Sequence, residues 1–245
     1  MSSCPIRLSV AVCAAGAALF AHATWIAPVA GPLEVGKSAI VQIGSGHAFP
    51  RSESALSPQN LEVFAVAPSG GRTDLKPNKS GSLLTASYAV REPGMHRFVF
   101  IQDRGVVSRT PQGLKPGGRD QNPGATQSMR MYRAAVAYAG TAGADLAFRA
   151  PLGLTFEATP QRAKDSVIVS VFLNSKPVAG AKIRAVLAGQ KEQELGATGS
   201  DGKFTYRVPA GLNGAFLLVA AHSEKTTAGE KYDNADYSNT LHLTW

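Results

Sequence analysis

Short runs of alternating apolar and polar residues recur along almost the whole chain. The clearest is KFTYRV, where Phe204, Tyr206 and Val208 fall on one side and Lys203, Thr205 and Arg207 on the other. A period of two is that of a strand with one buried face. Further runs of this kind are SAIVQIG, LEVFAV, SLLTASYAV, HRFVFIQ, MRMYRAAVAYAG, LGLTFEATP, SVIVSVFL, AKIRAVLAG, AFLLVAAH and NTLHLTW. They are rich in Val, Ile, Phe, Tyr and Thr and are closed by clusters of Gly, Pro, Asn and Asp, which is strand and turn chemistry. No stretch carries a helical period, so the pattern predicts an all-β protein.

Two interruptions organise the chain. The segment 104–127, RGVVSRTPQGLKPGGRDQNPGATQ, holds five Gly and three Pro and few large apolar residues; it reads as a long irregular, mobile surface loop. After PLGLTFEATP the character changes, and a strand, a small-residue turn, the SDG hairpin turn and two further strands follow, as in small antiparallel sandwiches. The expected organisation is two antiparallel β-sandwich domains, residues 22–150 and an immunoglobulin-like 151–245, joined near Ala150.

The pattern differs at the beginning. MSSCPIR carries one positive charge, Arg7, and residues 8–21 are apolar or small. A basic start, an apolar run and small residues at its end are the grammar of a secretory signal peptide. The run is too short and alanine-rich to span a bilayer, which takes ~20 strongly apolar residues, and no later segment approaches that length. The protein is therefore expected to be exported to the periplasm, with no membrane span in the mature chain. Two cleavage sites fit: after Ala23, which satisfies A-x-A, or after Ala21, which leaves His22 as the new N-terminus. Residue 13 is a cysteine in a poor context for lipidation.

Cleavage at either site changes the chemistry available. Cys4 and Cys13, the two cysteines of the chain, both leave with the signal, and with them disulfides, thiolate nucleophiles and cysteine-type metal sites. Of 25 Lys and Arg against 17 Asp and Glu, one Arg is lost, so the mature charge is 25 − 1 − 17 = +7. The basic residues are scattered without interleaved aromatics, which gives no support to a nucleic-acid partner.

The residues AHATWIAP after the signal, GHAFP followed by Ser52 and Glu53, MRMYRAAV, and the final module from TGSDGKFTYRVP to LLVAAH stand in a collinear order over nearly the whole mature chain. In that order they resemble an exported family of uncharacterised-domain type, widely labelled periplasmic components of cobalt or nickel uptake systems. The last motif is also similar to carboxypeptidase-regulatory-like and immunoglobulin-like modules. The resemblance implies β-sandwich domains and a protein that captures nickel or cobalt and passes it to a membrane importer.

With cysteine gone, the donors left for such an ion are histidines and carboxylates. His22, if it starts the chain, offers an amine and an imidazole nitrogen in one chelate ring, a grip suited to nickel(II) or copper(II). A histidine standing at this boundary in a chain stripped of cysteine favours cleavage after Ala21. His47 lies in a Gly- and Pro-rich turn after a strand, and Glu53, six residues on, is placed to bind the ion or to orient the imidazole. His96 alternates with Phe98 and Phe100, and His222 ends a strand in phase with Phe216, Leu218 and Ala220; both are candidate helpers or plain strand histidines. His242 alternates against Leu241, Leu243 and Trp245 and is expected to face solvent, uninvolved. Met129 and Met131 read as packing, and Trp25 as an anchor for the N-terminal segment. No nucleophile elbow, H-E-x-x-H or P-loop is present, so no enzyme is expected. Two alternatives remain: a copper-handling protein or copper oxygenase built on an N-terminal histidine, and a structural or adhesion module without metal.

Overall fold

The computed structural model describes residues 23–29, 32–53, 56–57, 60–141, 150–226 and 231–245, and every regular element among them is a β-strand. His22 and the expected signal segment lie outside the described residues. In chain order the strands of the first half are β1 (Ala23–Pro28), β2 (Ser38–Gly46), β3 (Leu61–Val66), β4 (Arg72–Asp74), β5 (Asn78–Ser80), β6 (Leu83–Ala89), β7 (Met95–Thr110), β8 (Gly113–Pro116) and β9 (Gln127–Gly140). Those of the second half are β10 (Phe156–Arg162), β11 (Ser166–Leu173), β12 (Lys176–Pro177), β13 (Lys182–Leu187), β14 (Gln193–Ala197), β15 (Lys203–Arg207), β16 (Ala215–Lys225) and β17 (Asn234–Thr244). No helix among the described residues is long and apolar enough to cross a membrane.

These strands form antiparallel sandwiches of immunoglobulin-like type that share a central sheet. That sheet runs β14-β13-β16-β17-β9-β7-β3-β4, with β8 paired to β7. It crosses from one half of the chain to the other through the parallel pair β9–β17, so the strands on either side of Ala150 belong to one sheet. One outer sheet, β1-β2-β6-β5, covers one face: Ile26, Val41, Ile43 and Leu84 pack there on Phe98, Phe100, Ala135 and Ala137. The other outer sheet, of β10, β11, β12 and β15, covers the opposite face, where Phe156, Val167 and Val169 meet Val99, Val136, Phe216 and Leu241. The alternation within β9 shows the consequence: Ala134 and Val136 go to one core, Ala135 and Ala137 to the other.

Half of the irregular loop expected over 104–127 is strand. β7 continues to Thr110 and pairs with β9 as far as Arg109↔Gln127, and β8 folds back on it as a hairpin. Two glycines make this possible: Gly105 follows a β-bulge with φ of 61°, and Gly113 turns the hairpin with φ of 107°. Their Gly content therefore marks a bulge and a turn within paired strands, and the irregular part narrows to 117–126. The segment before β10 is held by Glu157, whose carboxylate accepts the backbone N–H groups of Leu152 (2.6 Å), Gly153 (2.9 Å) and Leu154 (3.2 Å). Burial raises its pKa, and those three donors oppose the rise.

Trp25 is the anchor that the sequence suggests. It is 2% exposed and pairs in register with Gly44 on β2. A Cβ at Gly44 would stand 2.3 Å from Cζ2 of the indole, so the glycine is what lets the ring lie flat on the strand. Gly44→Ala is expected to destabilise the fold by about 1–3 kcal/mol through this clash. A lower urea midpoint would register it; an unchanged midpoint would show that the ring is free to move aside.

Candidate functional site

At the end of β2 the chain turns sharply over residues 46–53. Glu53 N–H donates to the carbonyl of Ser45 (2.9 Å), Arg51 N–H to that of Ala48 (2.8 Å), and Ser52 Oγ braces Ser45 and the Ser82 carbonyl. A Cβ at Gly46 would lie 2.9 Å from the Arg51 carbonyl and 3.1 Å from Glu53 Cγ, so only glycine allows the two arms to close. Phe49 and Pro50 are joined by a cis peptide bond. The Phe49 ring turns inward, 4% exposed, edge-on to Trp25 and to His242 at centroid distances of 5.6 Å each. Its carbonyl accepts the Gly189 N–H at 2.8 Å, which ties the turn to the second half of the chain.

The outer side of the same turn carries His47 and Glu53, which the structure brings together. One Glu53 oxygen accepts the His47 backbone N–H (3.1 Å) and the other lies 2.8 Å from His47 Nδ1. An ionised carboxylate only accepts, so Nδ1 carries the proton and the lone pair of the neutral ring sits on Nε2. That is the arrangement in which a carboxylate orients a metal-ligating histidine. The side chains are 57% and 35% exposed, so solvent screens the pair and it adds little to stability.

His96 and His222 do not join them. His96 is fully buried, with Nε2 on the Glu92 carbonyl (3.0 Å) and Nδ1 on the Tyr88 hydroxyl (3.1 Å), so both ring nitrogens are committed. Tyr88 pairs with Ala39 at the far end of β2, about 25 Å from His47 at ~3.3 Å per strand residue. His222 lies on the opposite face of the central sheet: it is in phase with Phe216, Leu218 and Ala220 and stacks on Phe156 at 6.4 Å. No three His, Asp or Glu side chains gather as a metal-holding group among the described residues. Met129 and Met131 pack with Val107 in a small buried cluster.

His242 corrects the expectation of a solvent-facing ring. It is 6% exposed, packs on Phe49, and its Nδ1 has no hydrogen-bond partner among the described residues. The alternation was read correctly, but both faces of the central sheet are covered, so the side opposite Leu241 and Leu243 is also interior. Burial, the leading cause, lowers its pKa from 6.5 to about 4. The sequence offers no signal for this, because the same side of β17 also carries Ser238, Thr240 and Thr244, which read as a solvated face.

The sequence matches a family described as a domain of unknown function, DUF4198, over residues 19–224. No curated protein matches it. Among solved structures it is similar to a DUF4785 family protein from Legionella pneumophila, at 11% identity and a TM-score of 0.29, covering 80% of this chain and 52% of that one. The chain thus spans about half the length of that protein. It is also similar to a two-domain fibronectin type-III segment of chicken tenascin, at 9% identity and a TM-score of 0.24, covering 91% of this chain and 99% of that one.

The depressed pKa of His242 has a thermodynamic consequence. The unfolded chain takes up its proton below pH 6.5, whereas the folded chain resists until about pH 4. The unfolded state therefore binds more protons in that window, and stability falls as pH drops through it, by at most about 3 kcal/mol. His242→Leu removes the group and is expected to flatten the difference in urea stability between neutral and acidic pH. An identical pH dependence in wild type and variant would show that the ring is not the titrating group.

Proposed function

The chain belongs to the DUF4198 family, and we propose that this member binds a transition-metal ion in the periplasm and delivers it to a membrane uptake system. Nickel(II) is the preferred ion, with cobalt(II) next. The observation that carries this reading is the His47–Glu53 pair, an imidazole held by a carboxylate at 2.8 Å on a turn closed by Gly46. Strand pairing adds a second support: Ala23 lies opposite Gly46, so the turn that bears His47 stands beside the start of β1. In this reading the chain is cut after Ala21, and the amine and imidazole of His22 complete the donor set with His47 Nε2. Glu53 orients the His47 ring. His96 and His222 take no part.

Neutral nitrogen donors suit nickel(II) and copper(II), and copper(II) is expected to bind more tightly in a bare competition because affinity rises toward it across the first-row series. The net positive charge of the chain does not draw cations in, so affinity rests on close donors.

Titration calorimetry of the exported, processed protein tests the proposal. One nickel(II) is expected per chain. His47→Ala should abolish tight binding, and Glu53→Gln should weaken it about tenfold or more, the scale of outer-shell partners. Amine and imidazole nitrogens bind a metal only unprotonated, so affinity should fall as pH drops from about 8 to 5. A protein carrying one extra residue before His22 should lose the site and keep its fold. Undiminished binding by that extended protein, or by His47→Ala, overturns the reading.

A further inference from the structure

A cleft of about 670 Å³ opens where the end of the central sheet meets β1 and the turn after β2. Trp25, Phe49, Pro50, Tyr138 and His242 line it, and Arg162 stands at its rim. Among the described residues no acidic side chain lines it. The volume lies in the range of small-molecule sites, which are apolar hollows with a few placed polar groups.

Arg162 is the group that gives the cleft a sign. Its guanidinium carbon sits 4.1 Å above the Trp245 ring, a cation–π contact that holds the side chain without neutralising it. Among the described residues no carboxylate stands within ion-pair distance of its guanidinium. A guanidinium pre-set beside an apolar hollow has already lost part of the freedom that binding would cost, and its fork matches a carboxylate. His242, buried at the inner wall with Nδ1 lacking a partner, adds a polar edge and no charge at neutral pH. Gln42, Thr244 and Tyr138 are further polar side chains of the lining.

We infer that this cleft binds a small organic monocarboxylate with a flat apolar body, its ring in the hollow lined by Trp25, Phe49 and Pro50 and its carboxylate on Arg162. The site is separate from the His47–Glu53 pair: Phe49 and Pro50 face the cleft from the inner side of the turn, and the pair lies on the outer side.

The two tryptophans of the chain are Trp25, in the lining, and Trp245, under Arg162, so intrinsic fluorescence reports on the site. Benzoate, uncharged benzamide and benzylammonium are titrated by fluorescence and calorimetry into chelator-treated full-length mature protein, which keeps the outcome independent of any metal. Benzoate is expected to bind saturably in the millimolar range or tighter, benzamide about tenfold more weakly, and benzylammonium not at all, since the charge-assisted contact is lost or reversed. Arg162→Gln should bring benzoate down to the level of benzamide with an unchanged thermal melt, while Arg207→Gln, at another exposed arginine, should leave benzoate binding as it was. Absence of saturable benzoate binding, equal binding of benzoate and benzylammonium, or equal affinity in wild type and Arg162→Gln would each overturn the inference.

Discussion

The parallel pairing of β17 with β9, from Asn234↔Met129 to His242↔Ala137, is the constraint on which the rest of the structure depends. A parallel pair cannot be joined by a tight turn and needs a crossover; here the crossover contains all the strands from β10 to β16. Its closure brings together residues about a hundred positions apart, a loop whose entropy must be met before the contact stabilises anything. What offsets it is the burial that follows. With β16 and β13 beyond β17, and β7 and β3 beyond β9, the sheet becomes wide enough for an outer layer on each face. Parallel pairs occur where both faces are covered, and β9 reads accordingly, with RAAVAYAG giving Ala134, Val136 and Tyr138 to one core and the small Ala135 and Ala137 to the other.

The turn after β2 depends on that closure. Phe49 is buried with Val186, Leu217 and Val219 from the second half, as well as with Ala23 and Trp25 from β1. The Gly189 N–H that bonds its carbonyl also comes from the second half. Were the halves separate sandwiches, the ring would lose the floor given by Val186, Leu217 and Val219, and the turn its bond to the Gly189 N–H. The position of His47 is therefore set by packing two residues away, across a sheet that the N-terminal half alone does not contain.

Much of this was legible in the residues and some was not, for physical reasons. Alternation and turn chemistry gave the all-β class and most strands, because both are local. The His47–Glu53 pair was legible for the same reason: a glycine, a proline and a six-residue spacing define a turn without reference to the rest of the fold. Whether a strand's second face is covered is decided by partners far along the chain. Hence His242 read as exposed and is buried, while His96 and His222 read as possible helpers and lie at the far end of β2 and on the opposite face. The segment 104–127 misled differently. Its glycines announce irregular backbone, and Gly105 and Gly113 do adopt positive φ, yet they serve a bulge in β7, which pairs along β9, and the hairpin from β7 to β8. Arg162 and Trp245 lie 83 positions apart, so no local pattern announces their contact.

Which interactions hold the candidate site, and which only occupy it, follows from exposure. The His47–Glu53 contact is open to water, and exposed pairs of this kind contribute between nothing and about 1 kcal/mol. Burying a phenylalanine contributes roughly 1.5–3 kcal/mol, and Phe49 is almost wholly buried. The turn is thus shaped by Phe49, by Gly46 where no Cβ fits, and by the Ser52 hydroxyl, with the imidazole and carboxylate mounted on a frame they do not build. One Glu53 carboxylate holds both the backbone N–H and the ring of His47, so the ring is oriented by a contact on which the fold does not depend. The same division separates the two sides of the turn: its inner side is interior packing that borders the Arg162 cleft, and its outer side carries the exposed His47–Glu53 pair.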